Sequence, residues 1–233
     1  MCTVTYLPAP RGFILTHNRD EAPSRVAPGL MVEEDGERRL FYPRDAGAGG
    51  SWLIASNTGF AVCVLNGAFV KHERTPPYRR SRGWVLLDFA RAARPEVFFQ
   101  DYDLSGIEPF TLLYATRGQL VEFRWDGQHR HFAHKPANQP HFWSSVTLYD
   151  PPIQVAREAV FFRWLQQHPR PTPAALRQLH LTGSIGDPEN DFCMNRQNRV
   201  RTVGLTQVVF TLPAQWLRYR DLLHNEEAVR RIF

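Results

Sequence analysis

Cys2 follows Met1 directly and heads the alternating run CTVTYL. If Met1 is trimmed, a thiol and a free α-amine share one residue. The amine titrates near about 7.7–8.0 and an ordinary thiol near about 8.5, so the amine can accept the thiol proton at neutral pH. A second apolar run, GFILTH, leads into THNRDE at residues 16–21. Pro8–Gly12 reads as the turn between the two runs, and a hairpin there brings Cys2 beside Arg19 and Asp20. A nearby guanidinium favours a thiolate. A carboxylate can orient the amine and balance its ammonium form. Nucleophile, base, arginine and carboxylate would all come from one hairpin. The plain alternative is a small strand cysteine near an ordinary surface Arg-Asp pair.

The elements around this hairpin read mostly as strands. SWLIAS and FAVCVLN flank Asn57-Thr58-Gly59, FTLLYA and QLVEFRW join through Arg117-Gly118, and Asp126-Gly127 turns the chain toward QHRHF. VRTVGLTQVVFTL reads as a late strand. Helical spacing predicts helices over Trp84–Ala93 and Ile153–His168, each stopping before a proline. Thr172-Pro173 supplies an N-cap and first turn for a short helix through Leu179. Trp216–Phe233 is too mixed to assign. With no repeat, low-complexity tract or linker, residues 1–233 read as one α+β domain.

Composition narrows the function classes. The chain has 233 residues, 43% hydrophobic and 22% charged, enough to bury a substantial core. No apolar run reaches the roughly 18–20 residues of a membrane span, and no secretory pattern opens the chain. Cys2, Cys63 and Cys193 are odd in number and unpaired in spacing, which points to a reducing, cytoplasmic setting rather than a disulfide framework. The net charge of +5 admits an acidic partner. Of the 28 basic residues, however, only Lys71 and Lys135 are lysines, and the arginines are spread along the chain. Compositional bias explains that better than a nucleic-acid surface.

Four further signals read plainly. His129, His131, His134 and His141 suit an exposed hairpin better than a metal site. Residues 71–83, KHERTPPYRRSRG, form a basic loop with Tyr78 that follows the Asn66 strand; it is either solvated or a lid that holds an anion. TGSIGDPEND, residues 182–191, is a loop leading into the late strand, without a phosphate-loop glycine pattern. Cys63 and Cys193 are expected in or near the core.

MCTVTYL followed by GFILTHNRDEAPSR resembles the start of the NRDE, or transport-and-Golgi-organisation-2-like, family. The name-giving Asn18-Arg19-Asp20-Glu21 is intact, with Ser24-Arg25 just beyond. GGSWLIASNTGFAVCVLN, residues 49–66, is similar to the family's Gly-Gly-Thr-Trp-Leu-Gly segment and the strand after it. The likeness fades through the middle and returns at RTVGLTQVVF, residues 201–210. The family in turn resembles the N-terminal-nucleophile hydrolases of the penicillin acylase and bile-salt hydrolase type. That implies a four-layer αββα fold, two antiparallel sheets face to face with helices outside.

The resemblance also implies roles. Cys2 is the nucleophile, Arg19 supports its thiolate and Asp20 holds the α-amine. Asn66 matches an oxyanion donor, and Arg201 a late arginine lining the site, with Arg199 close by. Asn18, Glu21 and Ser144 would contact substrate. Ser144-Ser145-Val146-Thr147 stands where the acylases carry Asn-Ser-Pro-Thr, so a shorter donor replaces an asparagine. The expected reaction is hydrolysis of a non-peptide C–N bond in a small linear amide or N-acyl compound, through a thioester, with no cofactor and no metal. The competing reading is a non-catalytic binding or trafficking protein on the same fold, which would tolerate Cys2→Ser and a retained Met1. A basic nucleic-acid-associated protein would instead bind with steep salt dependence.

Overall fold

The computed structural model describes residues 2–25, 27–92, 95–213 and 215–233. In chain order come β1 (Cys2–Ala9), β2 (Gly12–Glu21), β3 (Leu30–Asp35), β4 (Arg38–Pro43), β5 (Leu53–Ser56), β6 (Ala61–Asn66), α1 (Arg82–Arg91) and α2 (Pro95–Asp101). There follow β7 (Phe110–Ala115), β8 (Leu120–Trp125), β9 (Arg130–Lys135), β10 (His141–Ser144), α3 (Pro151–Gln167) and α4 (Pro173–Thr182). The chain closes with β11 (Asn195–Arg196), β12 (Val200–Phe210), β13 (Gln215–Asp221) and β14 (Glu226–Arg231).

The strands form two antiparallel sheets. One has the order β10-β1-β2-β12-β13-β14, with β11 paired to β12; the other is the consecutive meander β3 to β9. Side chains alternate across a strand, so each sheet offers two faces. The inner faces meet in a core where Val4, Tyr6, Phe13, Leu15, Val208 and Phe210 pack toward Leu53, Ala55, Ala61, Cys63, Leu65 and Leu113. Behind the meander, Ile54, Val62, Val64 and Leu112 pack on Leu86, Leu87 and Phe89 of α1 and Phe99 of α2. Behind the other sheet, Leu7, Ile14 and Val209 pack on Phe161 of α3 and on Leu176 and Leu179 of α4. Burial on both faces explains why AVCVLN and FTLLYA read as continuous apolar runs. The result is the four-layer αββα sandwich that the resemblance implied.

The hairpins at Pro8–Gly12, Asn57–Gly59, Arg117-Gly118 and Asp126-Gly127 lie where the sequence put them. Thr172 caps α4, its Oγ1 accepting from the Ala175 N–H at 3.1 Å. The first expected helix is α1, begun two residues earlier and ended at Arg91. Its expected last residue, Ala93, lies outside the described residues, as does Met1. The elements β3, β4 and α2 carried no sequence expectation, and the unassigned Trp216–Phe233 holds most of β13 and all of β14. Cys63 is buried as expected, but Cys193 is exposed, on a loop between α4 and β11.

Candidate active site

The register of β1 and β2 sets Cys2 opposite Arg19. Both share the parity of Val4, Phe13 and Leu15, and so face the space between the sheets. Asp20 shares the parity of Asn18 and Thr16 and faces the helices. Adjacent strand residues cannot point the same way, so the Arg19-Asp20 pair straddles the sheet.

On the inner side, Cys2, only 3% exposed, lies on the wall of a cavity of about 420 Å³. Arg19, Glu21, Trp52, Asn66 and the Ser81–Gly83 segment line the same cavity. The Arg19 guanidinium stacks 4.2 Å from the Trp52 ring centroid, pairs with Asp45 and donates to the Arg25 carbonyl at 2.7 Å. Arg25 joins Asp45 at 2.6 Å and Glu21 at 2.6 Å. The Gly47 and Ala48 N–H groups donate to the other oxygen of Asp45 at 2.9 and 2.8 Å. Arg19 is thereby fixed from both sides.

Ser145 ties the two sheets together at the site. Its N–H donates to the Cys2 carbonyl at 2.9 Å, and its Oγ donates to the Asn66 carbonyl at 2.8 Å. Gly67, at φ +81°, lets the next segment close in, because a Cβ there would meet Val146 Cγ2 at 2.4 Å. Asn66 thus keeps its backbone committed, while among the described residues no hydrogen bond engages its side-chain amide.

On the helix side the network is dense. Asp20 accepts from Thr202 Oγ1 at 2.7 Å and from the Tyr149 hydroxyl at 2.9 Å. Arg157 of α3, fully buried, stacks 3.9 Å from Tyr149 and donates to the Asp191 carbonyl at 2.6 Å, to Ser144 Oγ at 3.2 Å, to the Asn190 carbonyl and to Thr3 Oγ1. The loop read at residues 182–191 therefore serves as a seat for Arg157.

Burial pushes the Cys2 thiol up from its ordinary value; the Asp20 charge adds to this and Arg19 opposes it. Burial also raises the Asp20 carboxyl, against the pull of Arg157 and the hydrogen bonds from Thr202 and Tyr149. The thiol at rest is protonated, so thiolate chemistry here needs a base.

Cys2, Arg19, Glu21 and Asn66 come together around one cavity. Asn18 does not: its amide donates to the His180 and Phe192 carbonyls at 2.8 Å each, and its oxygen faces His180 Nδ1 at 3.0 Å. Ser144 pairs opposite Thr3, facing the helices and Arg157, while Ser145 takes the position beside Cys2. Arg201 lies opposite Glu21 across β2 and β12, outside the cavity lining, with Asn198 Oδ1 at 3.4 Å. The exposed hairpin histidines do meet a carboxylate, His131 lying 2.7 Å from Asp126. Among the described residues no cluster of three or more metal-ligating groups occurs. Sequence reasoning missed Asp45, Arg82, Glu108, Ser145 and Arg157, which reach the site from distant segments; only the basic loop hinted at Arg82.

Two face-to-face antiparallel sheets with outer helices, and a cysteine heading a strand inside one sheet, define the N-terminal-nucleophile hydrolase fold. Solved structures agree. The chain superposes on penicillin V acylase from Agrobacterium tumefaciens with a TM-score of 0.54 at 12% identity, covering 100% of this chain and 86% of that one. A mutant conjugated bile acid hydrolase from Clostridium perfringens gives 0.57 at 9% identity over 100% and 92%. The Caenorhabditis elegans ortholog of N-acylethanolamine-hydrolyzing acid amidase gives 0.61 at 10% over 91% and 94%. Within that fold the chain belongs to the Transport and Golgi organisation 2 family, which matches residues 1–179. No curated protein matches it.

Proposed function

We propose that this chain, as one domain, is an N-terminal cysteine hydrolase acting on a small linear amide or N-acyl compound. The observation that carries the reading is the Cys2 thiol opposite Arg19, on the wall of a polar cavity that the uncommitted Asn66 amide also lines. Removal of Met1 supplies the base the raised thiol needs. The α-amine takes the thiol proton, and sulfur attacks the amide carbonyl. Asn66 donates to the resulting oxyanion, with Arg19 adding positive potential. Collapse expels the amine, which takes the proton from the α-ammonium, and leaves a thioester on Cys2. Water, deprotonated by the α-amine, cleaves the thioester and regenerates the thiol. Asp20, held by Tyr149 and Thr202, balances the ammonium from across the sheet. Glu21 acts through Arg25; Asn18, Ser144 and Arg201 receive no substrate contact.

The acylase and amidase names of the superposed structures support this class of substrate. Three free thiols fit a reducing compartment such as the cytoplasm, and among the described residues no helix is long and apolar enough to cross a membrane. Asn66→Ala should lower kcat about 100–1,000-fold with little change in KM, read in steady-state kinetics on any cleaved amide. The primary test is intact mass and peptide mapping after brief alkylation at neutral pH, followed by incubation with linear amides to trap an acyl adduct. Loss of Met1, selective labelling and an acyl-sized mass increase on Cys2 are expected. A retained Met1, with Cys2 no more reactive than Cys193, would overturn hydrolysis in favour of binding alone.

A further inference from the structure

The cavity beside Cys2 carries more positive charge than its own carboxylates use. Arg19, Arg25, Arg74, Arg80 and Arg82 line it against Glu21, Asp45 and Glu108. Most of these charges are tightly spent. Arg19 and Arg25 converge on Asp45, with Glu21 as second partner. Arg80 forms a two-pronged pair with Asp88 at 2.6 and 2.5 Å, turned away from the cavity's own acids.

The remainder sits at Glu108, one carboxylate facing two guanidiniums. Arg82 approaches it at 3.1 Å and Arg74 at 3.4 Å, with His72 at 3.1 Å. These contacts are longer than the Arg80–Asp88 pair. Arg82 is otherwise held by the Pro109 carbonyl at 3.3 Å, and Arg74 has no other ion pair among the described residues. The Arg82 side chain is 16% exposed, so its charge acts in a poorly solvated setting; that of Arg74 is 72% exposed, at the mouth. Burial lowers the Arg82 affinity for its proton, Glu108 restores part of it, and the Cys2 thiolate would restore more.

The backbone reinforces the same wall. Ser81 precedes α1 without a side-chain cap, and the Trp84 N–H turns back to the Ser81 carbonyl at 3.0 Å, so the positive end of the helix stands at the cavity. The segment carrying Trp52 seats this helix end: a Cβ on Gly50 would meet the Gly83 carbonyl carbon at 2.7 Å, and the Ser51 N–H donates to the Gly83 carbonyl at 3.2 Å. Trp52, Val64, Pro76 and the Tyr78 ring supply apolar surface beside these charges, enough for a short stem next to the carboxylate.

We infer that this cavity selects compact amides bearing a carboxylate close to the scissile bond, with Arg82 and Arg74 as the receptor for that carboxylate. The inference deepens the hydrolase reading and rests on it. A planar guanidinium matches a carboxylate in two-pronged geometry, and two of them around one acid leave donors to spare.

The test compares iodoacetate with iodoacetamide on the full chain at neutral pH and low salt. Both alkylate a thiolate by displacing iodide; only iodoacetate brings a carboxylate. Peptide mapping gives the rate ratio at Cys2, with exposed Cys193 as reference in the same chain. The iodoacetate-to-iodoacetamide ratio should be about tenfold higher at Cys2 than at Cys193, and should shrink toward equality near 1 M salt, where the screening length is about 3 Å. Arg74→Ala, at an exposed position that folding does not need, should lower the ratio several-fold, and Arg82→Gln should lower it further. Equal ratios at the two cysteines, or a preference that survives both substitutions, would overturn the receptor. Turnover separates the two readings. Neutral amides cleaved as well as acidic ones remove the receptor and keep the hydrolase. An intact iodoacetate preference without cleavage of any amide removes the hydrolase and keeps the receptor.

Discussion

Arg157→Met should destabilise the fold by about 3–5 kcal/mol, against a total of about 5–15 kcal/mol for a domain. The guanidinium is fully buried and meets four acceptors from three segments: Thr3 on β1, Ser144 at the end of β10, and the Asn190 and Asp191 carbonyls. Methionine restores the stem and none of the donors. Each buried acceptor left unpaired costs about 1–3 kcal/mol, and the Asp20 carboxylate loses the Arg157 charge that opposes its burial. Arg157→Lys should fall between, since an ammonium keeps the charge without the planar fork. Urea unfolding followed by circular dichroism measures all three proteins. The double variant Asp20→Asn with Arg157→Met should cost less than the sum of its parts, because both act in one network. A loss below about 1 kcal/mol for Arg157→Met would show that the network is dispensable.

Acid should unfold this protein well above the pH at which its carboxylates titrate. His17 and His180 are fully buried, and burial holds both down to about 3. In the unfolded chain they titrate near about 6.5. Between those values the unfolded state binds more protons, so stability present above about pH 6.5 is lost as pH falls toward 3. At about 1.4 kcal/mol per unit, two such rings put the loss on the order of several kcal/mol. Asp20 works the other way, since its raised carboxyl takes a proton more readily in the folded state. It is one group against two.

The rings are not equivalent. His180 lies 2.7 Å from Thr5 Oγ1 and 3.0 Å from Asn18 Oδ1, with Arg157 as a nearby charge. His17 sits between Val4 and Thr206 on the inner face; among the described residues neither ring nitrogen makes a hydrogen bond of good geometry, and the Val64 backbone opposes the effect of burial only in part. His17→Leu should therefore hold or raise the urea midpoint at pH 7 and remove about half of its fall between pH 7 and 4.5. An unchanged midpoint across that range in the parent protein would sink the account.

The sequence was most legible where structure is local. Cys2 meets Arg19 because two alternating runs flank an obvious turn, and five strands announced themselves through Gly-containing hairpins. Strand parity could also have separated Asp20 from Arg19, since neighbours point to opposite faces. The parts that stayed hidden depend on contacts between distant segments. Asp45 holds Arg19 from a loop 26 positions away. Arg157 reaches Thr3 across 154 positions from a helix whose polar residue gave no sign of facing inward. In β13, Leu217 and Tyr219 alternate with arginines, a period-2 signal only two apolar residues long and blurred by Trp216, and β14 is a charged edge strand with no apolar stripe. Ser144 was preferred to Ser145 because motif matching follows position, whereas the pairing of β10 with β1 decides which serine reaches the Cys2 carbonyl.

The bond from Ser145 to the Cys2 carbonyl grips the second residue of the chain from behind, and leaves its nitrogen and its thiol open to covalent change. For anyone preparing the protein, the two chain ends are then unequal. In the proposed mechanism, a purification handle at the front, even a single glycine left after its removal, converts the amine into an amide and erases the base. The same handle after exposed Phe233, beyond an edge strand, leaves that amine untouched. An inactive preparation carrying a front-end tag would therefore say nothing about the proposed hydrolysis.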